Sequence, residues 1–418
     1  MTRLGAGVRS GAVRLRRSTF SSIADYPNYR LYWFGALASN IGTWTQMVAQ
    51  GWLVYDLTGS TFYLGLVGFA TAVPNLFLAL VGGVLADRFE RRRLMIFTQT
   101  GAMIMAFLLA YLTLAGIVTV WHILAIAFVA GIVNAFNTPV RQTIISDLVP
   151  REALLNAVAL NSAQFQTSRT LGPALAGLIV AALGPGWCFA INGLSFLAVI
   201  GVLLAMKLPP LLGTTRKTSI RKNLMEGIRY VRRDPIILSL VGLATVPSFF
   251  GMPYNQLMPA FASSILHVGA EGLGVLMSCA GLGALLGALI VASLSKAAPR
   301  GLLLLLAIIS FGAGLAVFAS SQLFALSAAM LVAVGVSSMS YNALNQTFLQ
   351  TLSEDAMRGR VMSILTVATF GLQPLGTLAV GTVAQAVGPQ AAVTGGGLVC
   401  VLFATWMLAT RPVLKALR

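Results

Sequence analysis

Gly83-Val84-Leu85-Ala86-Asp87-Arg88-Phe89-Glu90-Arg91-Arg92-Arg93 is the stretch on which the fold turns: an apolar run stops at an aspartate and gives way to arginines. The chain on both sides, near residues 61–86 and 94–115, is apolar for the roughly 20 residues a helix needs to cross a hydrocarbon core. Outward from there, similar stretches lie near 30–56, 120–148, 154–183, 187–206, 236–264, 271–295, 300–319, 322–351, 360–387 and 391–410, so twelve spans are expected. Of the 28 Lys and Arg, only Arg141 and Arg169 fall inside a stretch; the rest sit at the chain ends or in every second gap. That is the positive-inside pattern, and it puts both termini and the long gap after Lys207 in the cytoplasm of a plasma (inner) membrane protein.

Composition narrows the class further. Hydrophobic residues make up 57% of the chain and charged residues 9%, against about a quarter charged in soluble domains. The net charge of +17 reports topology, because nucleic-acid binders gather basic residues on one folded surface or arm. Anionic lipid headgroups are the expected partners, and nucleic acid is not. Arg3, Arg9, Arg14, Arg16 and Arg17 precede no apolar h-region or cleavage site before Asp25-Tyr26-Pro27, so residues 1–25 read as a flexible basic arm. Three cysteines imply no disulfide framework.

The chain repeats itself. Asn134-Ala135-Phe136-Asn137 followed by Gln142-Thr143 returns 208 residues later as Asn342-Ala343-Leu344-Asn345 followed by Gln350-Thr351. Gly177 and Gly184-Pro185 correspond to Gly381 and Gly388-Pro389. Two parallel six-helix halves are expected, at 26–206 and 236–410, joined by a cytoplasmic loop at 207–235 and followed by a tail at 411–418. Within the loop, Ile220 to Arg233 reads as a surface amphipathic helix.

With the repeat in place, the opening stretch resembles the loop motif of the major facilitator superfamily, a glycine, then Asp-Arg, then a basic cluster, with Glu90 where the family has glycine. Arg169-Thr170-Leu171-Gly172-Pro173-Ala174-Leu175-Ala176-Gly177 resembles that family's antiporter motif, and the chain after residue 25 is similar to its enterobactin-exporter and macrolide-efflux subgroup. The resemblance implies an all-α membrane fold of twelve helices, export by alternating access and proton antiport. It implies a conformational latch at Gly83, Asp87, Arg88, Arg91 and Arg92, and hinge or close-packing positions at Gly172, Pro173 and Gly177. No cofactor or metal is expected, and the chain is expected to work as a monomer. The alternatives left open are an uptake transporter and a lipid translocator or sensor on the same fold.

Candidate site residues come from polar stripes at helical spacing. Gln46 and Gln50 extend a stripe begun by Ser39 and Thr43; Asn134, Asn137 and Arg141 share a face; Asn255 follows Ser248; Asn342, Asn345, Gln346 and Gln350 form a fourth set. Such amides either line a cavity or tie helices together. An arginine inside a span costs at least about 2.5 kcal/mol on insertion scales and faces a cavity or a partner. That marks Arg169, and also Arg141, for which an ion pair with Asp87 or Asp147 is the alternative. None of the eleven acidic residues falls at mid-span, so Asp56, at the outer end of its span, and Asp25 or Asp147 stand as proton-coupling candidates. Two guanidiniums without a carboxylate favour anionic or neutral amphiphiles as cargo. Trp33, Trp44, Phe249, Phe250 and Tyr341 are candidates for an apolar wall. A phosphate-cradling loop, a metal cluster and a nucleophile-base pair are all missing from the sequence, which excludes enzyme readings.

Overall fold

The computed structural model describes residues 19–88, 90–206, 220–294 and 299–417; for 79–88, 220–224 and Ala416 it describes the backbone alone. Twelve long helical elements follow one another: α1 (Pro27–Thr58), α2 (Thr61–Arg88), α3 (Arg91–Leu114), α4 (Val120–Thr143), α5 (Leu154–Leu183), α6 (Pro185–Ala205), α7 (Pro235–Ile265), α8 (Gly269–Ser293), α9 (Arg300–Ser320), α10 (Phe324–Leu352), α11 (Asp355–Val387) and α12 (Pro389–Thr410). Ten are long and apolar enough by composition alone to cross a membrane. The other two, α1 and α5, carry the polar stripes and the motif arginine, so their hydropathy falls short although their lengths suffice. Short connections return the chain at each end, and twelve crossings bring both described chain ends to one face, the terminal end.

The elements start and stop where local chemistry dictates. Proline opens α1, α6, α7 and α12 at the first turn, where no amide hydrogen is needed. Asp234 caps α7, its Oδ1 accepting from the Ile236 and Ile237 amides at 2.8 and 3.2 Å. The internal repeat is visible in backbone angles: Gly184 has φ 88 and ψ 165, Gly388 has φ 91 and ψ 151, and each hands over to a helix-opening proline. Only glycine takes those angles freely, so the α5–α6 and α11–α12 corners are one corner made twice. Helices α7 and α11 are interrupted by π-helical turns at Pro247–Gly251, Phe261–Ile265 and Val367–Gly371. Ile220–Arg233 is helical, as its pattern predicts; residues 207–219 of the central loop lie outside the described set.

The halves meet across two seams. Along α2 and α11, Thr61 Oγ1 donates to Gly381 O at 3.2 Å, and Gln385 Oε1 accepts from Ser60 Oγ at 2.8 Å and from the Thr61 amide at 3.0 Å. Along α5 and α8, Ser278 Oγ donates to Thr170 O at 2.8 Å. Small residues let the backbones touch: a methyl at Gly177 would stand 2.8 Å from Ala270 O, and one at Gly381 would stand 2.9 Å from Thr61 O. Tyr55 OH and Ser264 Oγ, 2.8 Å apart, join α1 to α7. All these contacts lie between mid-depth and the end opposite the termini. At the terminal end, no hydrogen bond or ion pair among the described residues crosses between halves.

Candidate functional site

Sealed on one side and splayed on the other, the halves enclose a cavity of about 800 Å³ that reaches toward the terminal end. Its walls come from α1, α2, α3, α4 and α6 of the first half and from α7 and α11 of the second. Five predicted residues line it: Gln46, Gln50, Asn134, Asn137 and Arg141. Their orientation is held by neighbours in the same half. Asn192 Nδ2 donates to Gln46 Oε1 at 2.7 Å, which leaves the Gln46 amide hydrogens for a ligand. Asn137 Oδ1 accepts from Thr98 Oγ1 at 3.2 Å.

Arg141 is the only charged side chain among the described lining residues. The alternative of an ion pair with Asp147 does not hold: Arg91 Nη1 bridges both oxygens of that carboxylate at 2.6 and 2.7 Å. The rest of the described lining consists of amides, hydroxyls and apolar groups, among them Met47, Met105, Phe196 and Phe370. The side chain of Asp87, the other alternative, lies outside the described residues; a cation with no described counter-charge attracts an anion or a strong acceptor and repels a second cation. The lining holds no carboxylate and no histidine among the described residues.

The other predicted residues sit elsewhere. Asn255 Nδ2 turns back to Met252 O at 3.2 Å, and Asn342 Nδ2 donates to Ser338 O at 2.9 Å. Asn345 is buried in the second half with Oδ1 unpartnered, and Gln346 is exposed. Arg169 is half-buried on α5 where that helix crosses α8, within electrostatic reach of Tyr254 and Tyr341. None of these five lines the cavity. The aromatic candidates do not line it either: Trp33 Nε1 donates to Leu160 O at 3.1 Å, Trp44 packs edge-on to Phe165, Phe249 to Phe250, and Tyr341 to Phe311. Asp25 and Asp56 are exposed near opposite ends of α1.

Helix α2 runs through Gly83, Asp87 and Arg88, whose side chains lie outside the described residues. Arg91 ties α3 to the turn after α4, and Arg92 donates to Leu203 O and Leu204 O at 2.6 Å each, closing the end of α6. Both therefore brace the first half internally while this end is open. Gly172 sits tight against Trp44 and Ile41 of α1, the Pro173 carbonyl faces Gly274, and Gly177 lies in the α5–α8 seam.

Asn75, Gln99, Asn192, Gln256 and Gln373 are lining residues that sequence reasoning missed. Asn75, Gln99 and Asn192 are each the sole amide of their span, and that isolation was the available signal, since an amide in lipid needs a partner or water; Gln256 adjoins Asn255, and Gln373 shares α11 with Gln385.

Comparison with known proteins agrees with this architecture. The profile of the transmembrane secretion effector family matches residues 17–417. The staphyloferrin A transporter of Staphylococcus aureus is 26% identical over 352 residues, covering 81% of this chain and 85% of that protein. The enterobactin exporter of Shigella boydii is 26% identical over 406 residues, covering 95% of each. A crystal structure of a nucleoside transporter variant superposes with a TM-score of 0.76 at 14% identity, covering 91% of this chain and 99% of that one; at that identity the likeness concerns the fold. The chain thus belongs to the transmembrane secretion effector family of the major facilitator superfamily, as a multi-pass membrane transporter rather than an enzyme.

Proposed function

We propose that this transporter exports small amphiphilic molecules, anionic or neutral, across the plasma membrane by alternating access, with the terminal end in the cytoplasm. Arg141, unneutralised in the described lining of a cavity otherwise amidic and apolar, is the observation that carries the reading. A guanidinium and several amide donors suit carboxylate, phenolate or carbonyl oxygens, and Met47, Phe196 and Phe370 suit a hydrocarbon or aromatic body. Relatives named for enterobactin and staphyloferrin A make a siderophore or similar natural product the cargo we assign. A cavity open at the basic end supports loading from the cytoplasm. Proton antiport is the drive we assign from family kinship, with the exchanged proton held at the ends of α1, at Asp56 or Asp25.

Matched anionic, neutral and cationic amphiphiles test the cargo class through thermal stabilisation of the purified protein, because a ligand that binds only the folded state raises its stability. The anion is expected to stabilise the wild type most. Arg141→Gln should weaken its binding about 10- to 150-fold, the equivalent of one charge-assisted hydrogen bond of roughly 1.5–3 kcal/mol. Equal stabilisation of both proteins by the cation would overturn the anion reading. Uptake assays in right-side-out and inverted vesicles then separate export from import.

A further inference from the structure

A second cavity, of about 680 Å³, lies at the terminal end of the second half, away from the cargo cavity. The last turn of the Ile220–Arg233 surface helix, the starts of α7 and α11, and the short helix Pro412–Ala416 after α12 enclose it. Arg233 and Arg411 line it from different walls. Neither guanidinium forms an ion pair or hydrogen bond with a described residue.

Two carboxylates, Asp234 and Glu354, line the same cleft, and neither stands within ion-pair distance of Arg233 or Arg411. Asp234 spends its Oδ1 on the Ile236 and Ile237 amides as the cap of α7. Glu354 is exposed, and its amide donates to Tyr230 OH at 3.3 Å. That bond uses an oxygen lone pair, so the Tyr230 proton remains free for an acceptor in the cleft. Ile236 and the buried Leu414 supply an apolar floor. Two guanidiniums with no ion pair among the described residues, a hydroxyl donor and an apolar floor thus meet, beside Asp234 and Glu354, where the helices leave the hydrocarbon core, the depth of lipid headgroups.

We propose that this cleft binds the phosphate of an anionic phospholipid, with Arg233, Arg411 and Tyr230 as its donors. The occupant couples the surface helix and the tail to the cargo path. Glu226 on the surface helix pairs with Arg360 on α11 at 3.0 Å, and α11 continues into the cavity wall at Thr366 and Phe370. A lipid that clamps the surface helix and the tail together therefore biases the position of α11. This proposal is independent of which cargo the central cavity takes.

The test is lipid retention by the purified full-length protein, read by native mass spectrometry, with phosphatidylglycerol and phosphatidylcholine of the same chains and with inorganic phosphate as a third arm. Phosphatidylglycerol is expected to be retained several-fold over phosphatidylcholine. Arg233→Gln with Arg411→Gln should weaken it roughly 30-fold, two basic residues each contributing about 1 kcal/mol. Arg93→Gln with Arg151→Gln, the same charge loss at the same end, should change it less than about 3-fold. Arg411→Gln alone leaves every spanning helix intact and should cost about 5-fold, which keeps the test decisive if the double variant misfolds. Equal losses in both pairs would show diffuse surface charge and overturn the site. Displacement of the lipid by millimolar inorganic phosphate would overturn the lipid assignment, as would retention of both lipids alike.

Discussion

Gly274→Ala should open the sealed end of this transporter without harming its fold. The methyl would stand 2.6 Å from Pro173 O, 2.9 Å from Gly177 Cα and 3.1 Å from Gly177 N, where ordinary contact begins at 3.4 Å. All three atoms are backbone, so no side chain can rotate away, and α5 and α8 must part by about 0.8 Å at the tightest point. Overpacking of this size costs roughly 1–3 kcal/mol. The cost falls only on the state in which the seam is closed, whereas the gain in helix propensity on replacing glycine, up to about 1 kcal/mol, applies in both states. The closed-to-open ratio at this end should therefore fall about 5- to 150-fold. Spin labels at Ile117→Cys and Ser320→Cys, exposed positions of opposite halves at that end, read the change as a longer inter-label distance, after replacement of the native Cys188, Cys279 and Cys400. Gly395→Ala is the control, since a methyl there meets nothing within 4 Å. An unchanged distance distribution in Gly274→Ala, or the same lengthening in the control, would refute the idea that backbone contact holds the seal.

Other substitutions probe separate parts of the machine. Gln385→Ala removes the acceptor shared by Ser60 and Thr61, and at about 1 kcal/mol for a hydrogen bond it should raise the open population at that end about 5-fold or more on the same labels. Asp147→Asn should lower the midpoint of thermal unfolding, because it weakens a partly exposed pair with Arg91 worth about 1 kcal/mol; a double-mutant cycle with Arg91→Gln showing no coupling would deny the brace. Asp56→Asn should abolish flux driven by a pH gradient while leaving cargo exchange at equal pH intact; gradient-driven flux at the wild-type rate would exclude Asp56 as the proton site.

How much of this was legible in the sequence depends on which property each residue signals. The spans were legible because burial in lipid demands apolar composition, and the two halves because Gly184-Pro185 and Gly388-Pro389 impose one backbone corner twice. The first-half lining was legible because Gln46, Gln50, Asn134, Asn137 and Arg141 repeat on helix faces. The second-half stripe carries the same signature, yet Asn342 and Asn345 stay within their own half. A stripe records that a face is polar; it does not record which helices stand apart in a given state. Gln99 and Asn192 were harder to read for the converse reason: a sole amide marks one polar point on its span, and nothing in one dimension shows that α3 and α6 reach the cavity.

The two ends of the molecule are held by different physics, and the repeat explains why. Gly65 and Gly381 abut across α2 and α11, and Gly274 and Gly177 abut across α8 and α5, so the duplicated sequence supplies the same glycine-on-glycine contact on both flanks of the sealed end. Such faces have no rotamers with which to yield, so we expect each seam to be either engaged or parted and the pair to act as one two-state gate. The terminal end lacks that symmetry. Arg91 and Arg92 brace the first half there, while Arg360 and Glu226 tie the second half to its surface helix. Charged contacts between long side chains can exchange partners as the halves rock, which backbone seams cannot. Variants at the glycine seams should therefore act abruptly, and the inter-label distance distribution of Gly274→Ala puts that directly to the test.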